Sequence, residues 1–213
     1  MRTKDLSRPA ETAASGKAQV ISRREQILDT AESLFSERGF TETSMRDLAA
    51  TMGIKAGSLY SHIASKEELL WEVVQRVAKR LCDAAEQAAA SPGTAEERLR
   101  RFMRDHLRIV ASNRNVAAVL LMEWRKIERD ARVDILGLRD AHEDALRRIL
   151  EDGVAAGEFA PREAKWARLL ILSGLNWASQ WFDPAGEVKA DEVADHYAGL
   201  ILNGSLKGND SVE

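Results

Sequence analysis

An all-α fold is the expectation from three features of this chain. Ala, Leu, Glu and Arg dominate and only 4 prolines interrupt 213 residues, which favours helix almost throughout. Apolar residues recur at three- and four-residue spacing from about Arg23 onward, the pattern of helices that bury one face. Hydroxyl side chains followed three positions later by carboxylates, at Ser44 and Asp47, Ser65 and Glu68, and Thr94 and Glu97, mark helix starts as capping boxes. At 45% hydrophobic and 31% charged, the chain has enough apolar material for a core and enough charge to stay in solution.

Residues 1–21 lack any apolar period and read as a disordered tail. The first 24 residues hold 6 Lys/Arg against 2 Asp/Glu, so this tail is either simply solvated or an arm for phosphates. A first helix is expected from Arg23 to Arg38, with Ile27, Leu28, Ala31, Leu34 and Phe35 on its buried stripe and Gly39 as its stop. A short helix follows from Ser44 to about Met52. After it comes "TMGIKAGSLYSHIASKEELL", Thr51 to Leu70, in which Gly53 and the Ala56-Gly57-Ser58 run interrupt an otherwise helical spacing. A long helix is expected over 65–90, ended by Ser91-Pro92-Gly93. Further helices are expected near 94–112, 114–127, 130–156, 161–182 and 189–206, and residues 207–213 read as a second disordered tail.

The interruption is explained if Gly53 is the turn of a helix-turn-helix. Ala49 then sits where two helices cross too closely for a larger side chain, and Leu48, Met52, Ile54 and Leu59 form the small core that fixes their angle. The second helix, about Lys55 to Ile63, leaves Lys55, Ala56, Gly57, Ser58, Tyr60, Ser61 and His62 outside that core. Small side chains at the start of such a helix let its backbone approach base edges in a major groove. Ala56 and Ser58 suit a thymine methyl or a base edge, and Lys55 a guanine or a phosphate. Tyr60, His62, Lys66 and the hydroxyls of Thr43 and Ser44 suit phosphate oxygens. Taken residue by residue, an ordinary connecting turn with Tyr60 as a core aromatic fits as well.

Residues 23–74 resemble the amino-terminal domain of the TetR family of transcriptional regulators. The resemblance runs through Leu34-Phe35, Gly39-Phe40, Thr43, Asp47-Leu48-Ala49, Gly53-Ile54, Gly57-Ser58-Leu59-Tyr60, His62 and Ser65-Lys66-Glu67-Glu68-Leu69. One departure is Ile63, where the family usually has Phe. The resemblance implies a three-helix DNA-binding domain over residues 22–68 and a larger helical domain over 69–206 for effector binding and dimerisation, its last two long helices forming a four-helix interface about a two-fold axis.

The residues of the larger half make their own case for such an interface. The helix over 161–182 carries Trp166, Leu169, Leu170, Leu172, Leu175, Trp177 and Trp181, too much apolar surface for a helix with one buried side. Trp166, Leu170 and Trp181, with Tyr197, Leu200 and Ile201 of the final helix, are therefore the expected dimer interface. Trp124 and Trp177, with Arg125 and Asn176 as polar tips, are candidates to line a cavity for a bulky apolar effector. Trp177 and Trp181 fit an interface equally well. The stretches "LLMEWRKIERDARVDILGLRDAHED" and "NWASQWFDPAGEVKADEVADHYAGLILNG" are similar to TetR regulators of fatty-acid and steroid catabolism, which implies an acyl-CoA effector. Arg125 or Arg139 would then neutralise its phosphates, although surface ion pairs account for both arginines as readily.

Other classes find little support. A single cysteine, Cys82, excludes an internal disulfide and a multi-cysteine zinc site. The 4 histidines are scattered along the chain, and no phosphate loop or nucleophile motif is present, so neither catalysis, a metal nor a cofactor is expected. The start of the chain lacks the apolar core of a signal peptide, and the most apolar stretch, "LLILSGLNWA", is too short to cross a bilayer. The expected protein is a cytoplasmic homodimer that binds a palindromic double-stranded operator and a small apolar effector. The alternative is a helical ligand-binding or scaffold protein with a degenerate helix-turn-helix.

Overall fold

A computed structural model describes residues 22–122, 129–161 and 164–206. Helix α1 spans Arg23–Arg38, α2 Met45–Thr51, α3 Ala56–Leu59, α4 Lys66–Ala90, α5 Ala95–Ser112, α6 Arg114–Met122, α7 Arg129–Ala155, α8 Ala164–Trp181 and α9 Ala190–Ile201, with a π-type turn at Leu202–Leu206. No strand occurs among the described residues, so the chain is all-α as expected. The two expected tails, Trp124 and Arg125 lie outside the described residues.

The helix starts follow local chemistry. Ser44, Ser65 and Thr94 each accept a hydrogen bond from the backbone N–H three residues on, and Asp47 and Glu97 each accept one from the cap backbone N–H. Each such cap contributes about 1 kcal/mol. Gly39 and Gly53 end α1 and α2 with positive φ of 90° and 66°, a region that glycine enters without steric cost.

Two apolar cores form, and α4 belongs to both. Ile27, Leu34 and Phe35 of α1, Leu48 of α2 and Leu59 and Ile63 of the α3 region pack with Leu69, Val73, Val77 and Leu81 of α4. The same cluster reaches Val116 and Leu120 on α6 and Ile135 on α7. The second core gathers Ala85 and Ala88 at the far end of α4 with apolar residues of α5, α7, α8 and α9, Leu99, Phe102, Ile149 and Ile171 among them. Polar ties reinforce the first junction: Arg24 pairs with Glu68 and Glu72, Arg76 with Asp29, and Arg80 with Glu32, all between α1 and α4. Asn115 Nδ2 also donates to the Ser36 carbonyl at 2.9 Å. The helices α1–α3 therefore share their core with the first half of α4.

The second helix of the helix-turn-helix is shorter than expected. The regular part of α3 ends at Leu59, and Tyr60 to His62 continue as turns in which His62 and Ile63 N–H both reach the Leu59 carbonyl. Ser61 Oγ donates to the Ser58 carbonyl at 2.7 Å, a local bond that competes with helix continuation. Ile63, 1% exposed, turns the chain inward to meet the core and Ser65 then caps α4.

Candidate nucleic-acid interface and effector cavity

The α2 to α3 connection is fixed from inside. Ile54 N–H donates to the Ala49 carbonyl at 2.9 Å and Gly53 N–H to the Ala50 carbonyl at 3.1 Å, while Leu48, Ala49 and Leu59 are buried beneath. Around this frame Lys55, Gly57, Ser58, Tyr60, Ser61 and His62 are exposed and Ala56 is half-buried. Tyr60 is not a core aromatic: it is 54% exposed.

The two glycines separate cleanly. Gly53 needs its backbone conformation. Gly57 has no positive φ, and a Cβ added there would meet nothing within 4 Å. Glycine inside a helix costs about 1 kcal/mol relative to alanine, and nothing within this chain requires it at position 57. Its smallness suits the close approach of a second molecule.

Three neighbouring side chains are engaged within the chain, Ser44 with the Asp47 that its capping-box spacing predicted. Thr43 is 1% exposed, and its hydroxyl donates to the Gly39 carbonyl at 2.9 Å. It ties the α1 to α2 loop together and does not face a phosphate, which corrects the expectation for that residue. Ser44 Oγ donates to Asp47 Oδ2 at 2.6 Å, and this bond leads the causes that lower the Asp47 pKa. Lys66 lays its ammonium over the Phe40 ring, 4.1 Å from the centroid, a cation–π contact. Arg46, exposed in the first turn of α2, adds a cation to this face that sequence reasoning missed; its signal was its place two residues after the Ser44 cap.

A second feature lies within the helical body. A cavity of about 30 Å³ is walled by Ala78 and Leu81 of α4, His106 of α5, Leu120 and Leu121 of α6, Leu138, Arg139, His142 and Glu143 of α7, and Leu172 and Asn176 of α8. Arg139 and Asn176 were expected here. Trp177 was not brought here: it is 58% exposed and faces out of the bundle, because the inward stripe of α8 is Ala167, Ile171, Leu175 and Ala178. At this volume the cavity holds about one water molecule, so a bulky effector requires the surrounding helices to part.

The two buried histidines were missed because each looked isolated. His106 Nδ1 and His142 Nε2 approach to 3.2 Å although 36 residues separate them. Burial pushes the His106 pKa well below its ordinary value, with His142 adding to the effect; burial, then the Arg139 charge, lowers His142 from 6.5 to about 4. Nε2 of His106 is buried with no hydrogen-bond partner in the protein, a state that costs about 1–3 kcal/mol.

The outer face of α8 carries Trp166, Leu170, Trp177 and Trp181, all between 44% and 61% exposed, and Leu200 of α9 is 74% exposed. Tyr197 is half-buried and packs on Gly174 of α8. Ile201, by contrast, is 5% exposed and belongs to the second core, which corrects its expected place on the outer surface. Among the described residues no group of three or more metal-ligating side chains occurs, and no helix is long and apolar enough to cross a membrane.

Comparison with known proteins agrees with this geometry. Residues 27–73 match the family described as bacterial regulatory proteins, tetR family, and residues 92–205 match the tetracyclin repressor-like C-terminal domain. The transcriptional repressor KstR2 of Mycobacterium tuberculosis H37Rv is 27% identical over 191 residues, 89% of this chain and 96% of that one. The solved structure of the ketosteroid transcriptional regulator KstR2 of Mycobacterium tuberculosis gives a TM-score of 0.75 at 26% identity, covering 89% and 98% of the two chains. The TetR family regulator PfmR from Thermus thermophilus gives 0.75 at 39% identity over 84% of this chain and 98% of its own. AibR in complex with isovaleryl coenzyme A and operator DNA gives 0.70 at 25% identity over 84% and 97%. These relatives are transcriptional regulators rather than enzymes, and with both of its halves matched, this chain belongs to the TetR family of DNA-binding transcriptional regulators.

Proposed function

We propose that this regulator is a dimeric repressor released from a palindromic operator when an acyl-CoA thioester opens the cavity between α4, α5, α7 and α8. The observation that carries the reading is the double membership of α4. Its first half is part of the core of α1–α3, and its Ala78 and Leu81 wall the cavity. Any ligand that pushes α4 away from α7 therefore shifts the unit that presents Lys55, Gly57, Ser58 and Tyr60. The apolar walls suit an acyl chain, Arg139 and Asn176 supply polar groups, and AibR shows that a relative of this fold takes a coenzyme A ester together with operator DNA. To convert a 1:99 population into 99:1, the effector must favour the open state by about 5.5 kcal/mol.

A two-fold pairing through α8 and α9 covers the exposed row of Trp166, Leu170, Trp177, Trp181 and Leu200. Contiguous apolar surface of this kind marks a protein interface. The pairing sets two recognition elements about one DNA turn, roughly 34 Å, apart. Leu170→Glu should convert dimer to monomer in sedimentation while leaving helical content unchanged, since its side chain lies outside both cores.

The direct test is binding of the purified protein to DNA upstream of its own gene, with and without a long-chain acyl-CoA. Tight, salt-sensitive binding that the thioester reverses is the expected result. Binding that the thioester leaves unchanged would discard the acyl-CoA part and retain the regulator. Tyr60→Ala and Lys66→Ala should weaken binding to all sequences and reduce its salt slope, whereas Lys55→Ala and Ser58→Ala should change sequence preference.

A further inference from the structure

The buried histidine pair gives the cavity a specific chemistry. His106 on α5 and His142 on α7 are 2% and 8% exposed. Phe102 packs beside both rings, with centroids 4.9 Å from His142 and 6.4 Å from His106. Joined through Nδ1 of His106 and Nε2 of His142, each ring keeps one nitrogen for another partner. For His106 that nitrogen is Nε2, enclosed and without a partner in the protein. Buried polar atoms are nearly always paired, and an exception calls for an explanation, of which a partner from outside the protein is one.

The electrical character of the site narrows the ligand. Burial keeps both imidazoles uncharged near neutral pH, so the pair offers no ion pair to a carboxylate or phosphate and matches an uncharged polar group instead. Arg139, one of two charged side chains in the wall with Glu143, adds to burial in lowering the His142 pKa. A positive field favours an electron-rich acceptor. With His142 Nε2–H donating to His106 Nδ1, His142 Nδ1 keeps a lone pair and His106 Nε2 carries a proton.

We propose that His106 Nε2–H donates a hydrogen bond to the carbonyl oxygen of the effector, the thioester carbonyl of an acyl-CoA, while Leu81, Leu120, Leu138 and Leu172 receive the adjoining apolar chain. His142 is the positioning residue that fixes the tautomer and orientation of His106. This inference rests on the acyl-CoA reading given above. It adds that the cavity distinguishes a carbonyl from a methylene at one position.

The test compares palmitoyl-CoA with S-hexadecyl-CoA, the thioether that lacks only the carbonyl oxygen, by calorimetric titration of the full chain. The wild type should bind the thioester at least about 10-fold more tightly, equivalent to about 1.4 kcal/mol. His106→Leu should bind the two alike, and His106→Gln, which retains an N–H donor, should recover most of the preference. Equal affinities in the wild type, or a preference that survives in His106→Leu, would overturn the role of His106 while leaving acyl-CoA as effector. If the wild type binds neither compound, the acyl-CoA reading and this inference both fall. The wild-type comparison decides even where a variant does not fold.

Discussion

The helix-turn-helix unit and the cavity inside the helical body treat polar groups in opposite ways. Around α2 and α3, Thr43, Ser44, Asp47 and Ser61 are bonded to groups three or four residues away, and the side chains left over are solvated. Inside the bundle, His106 and His142 satisfy each other across two helices and leave one enclosed nitrogen unmatched. The first is held by bonds within a few residues, the second by a bond between two helices that leaves one nitrogen over.

The largest expected effect probes the interior half of this contrast. Unfolded, His142 takes up a proton near pH 6.5; folded, it resists until about pH 4. Between those values the unfolded state binds more protons, so stability present at pH 7 is lost as pH falls through that window. His142 alone should cost about 2 kcal/mol between pH 7 and pH 5, and His106 acts in the same direction. Urea midpoints at the two pH values, at constant protein concentration, should show this loss, and His142→Phe should remove the His142 share while the share of His106 remains.

Next in size is the turn. Gly53→Ala forces an L side chain into φ 66° and should lower stability by about 1–2 kcal/mol, measured by the same denaturant midpoints, because no steric room can relieve a backbone conformation. Ser44→Ala removes the cap of α2 and should cost about 1 kcal/mol. The smallest effect on folding and the sharpest on function belong to Gly57→Val. With open space around its Cβ position, stability should change by no more than about 0.5 kcal/mol, while operator affinity in a gel-shift titration should fall at least about 10-fold as the branched side chain holds the backbone off the groove. Unchanged affinity would remove Gly57 from the interface.

The DNA-facing half was largely legible in the sequence, since its determinants are caps at three-residue spacing, a turn glycine and a short apolar period. Even there, Thr43 was misread, because a threonine hydroxyl at a loop looks the same whether it faces solvent or the Leu34 and Gly39 carbonyls. In the larger half, composition signalled excess apolar surface on α8 but not which of its side chains stay exposed. Trp177 and Asn176 are adjacent in sequence, yet one is exposed and the other walls the cavity; only the direction of the Ala167, Ile171, Leu175 and Ala178 stripe separates them.

By itself, then, the sequence determined that the chain is all-α, where most of its helices start, and that a helix-turn-helix precedes a larger helical body. Those properties arise from interactions within a few residues, and the side-chain pattern encodes them directly. Tertiary structure alone decided that α4 joins both cores, that Ile201 turns inward, and that two histidines 36 positions apart become one buried pair. Such features depend on how whole helices pack, where each contact is set by many side chains together and no short stretch of sequence carries it.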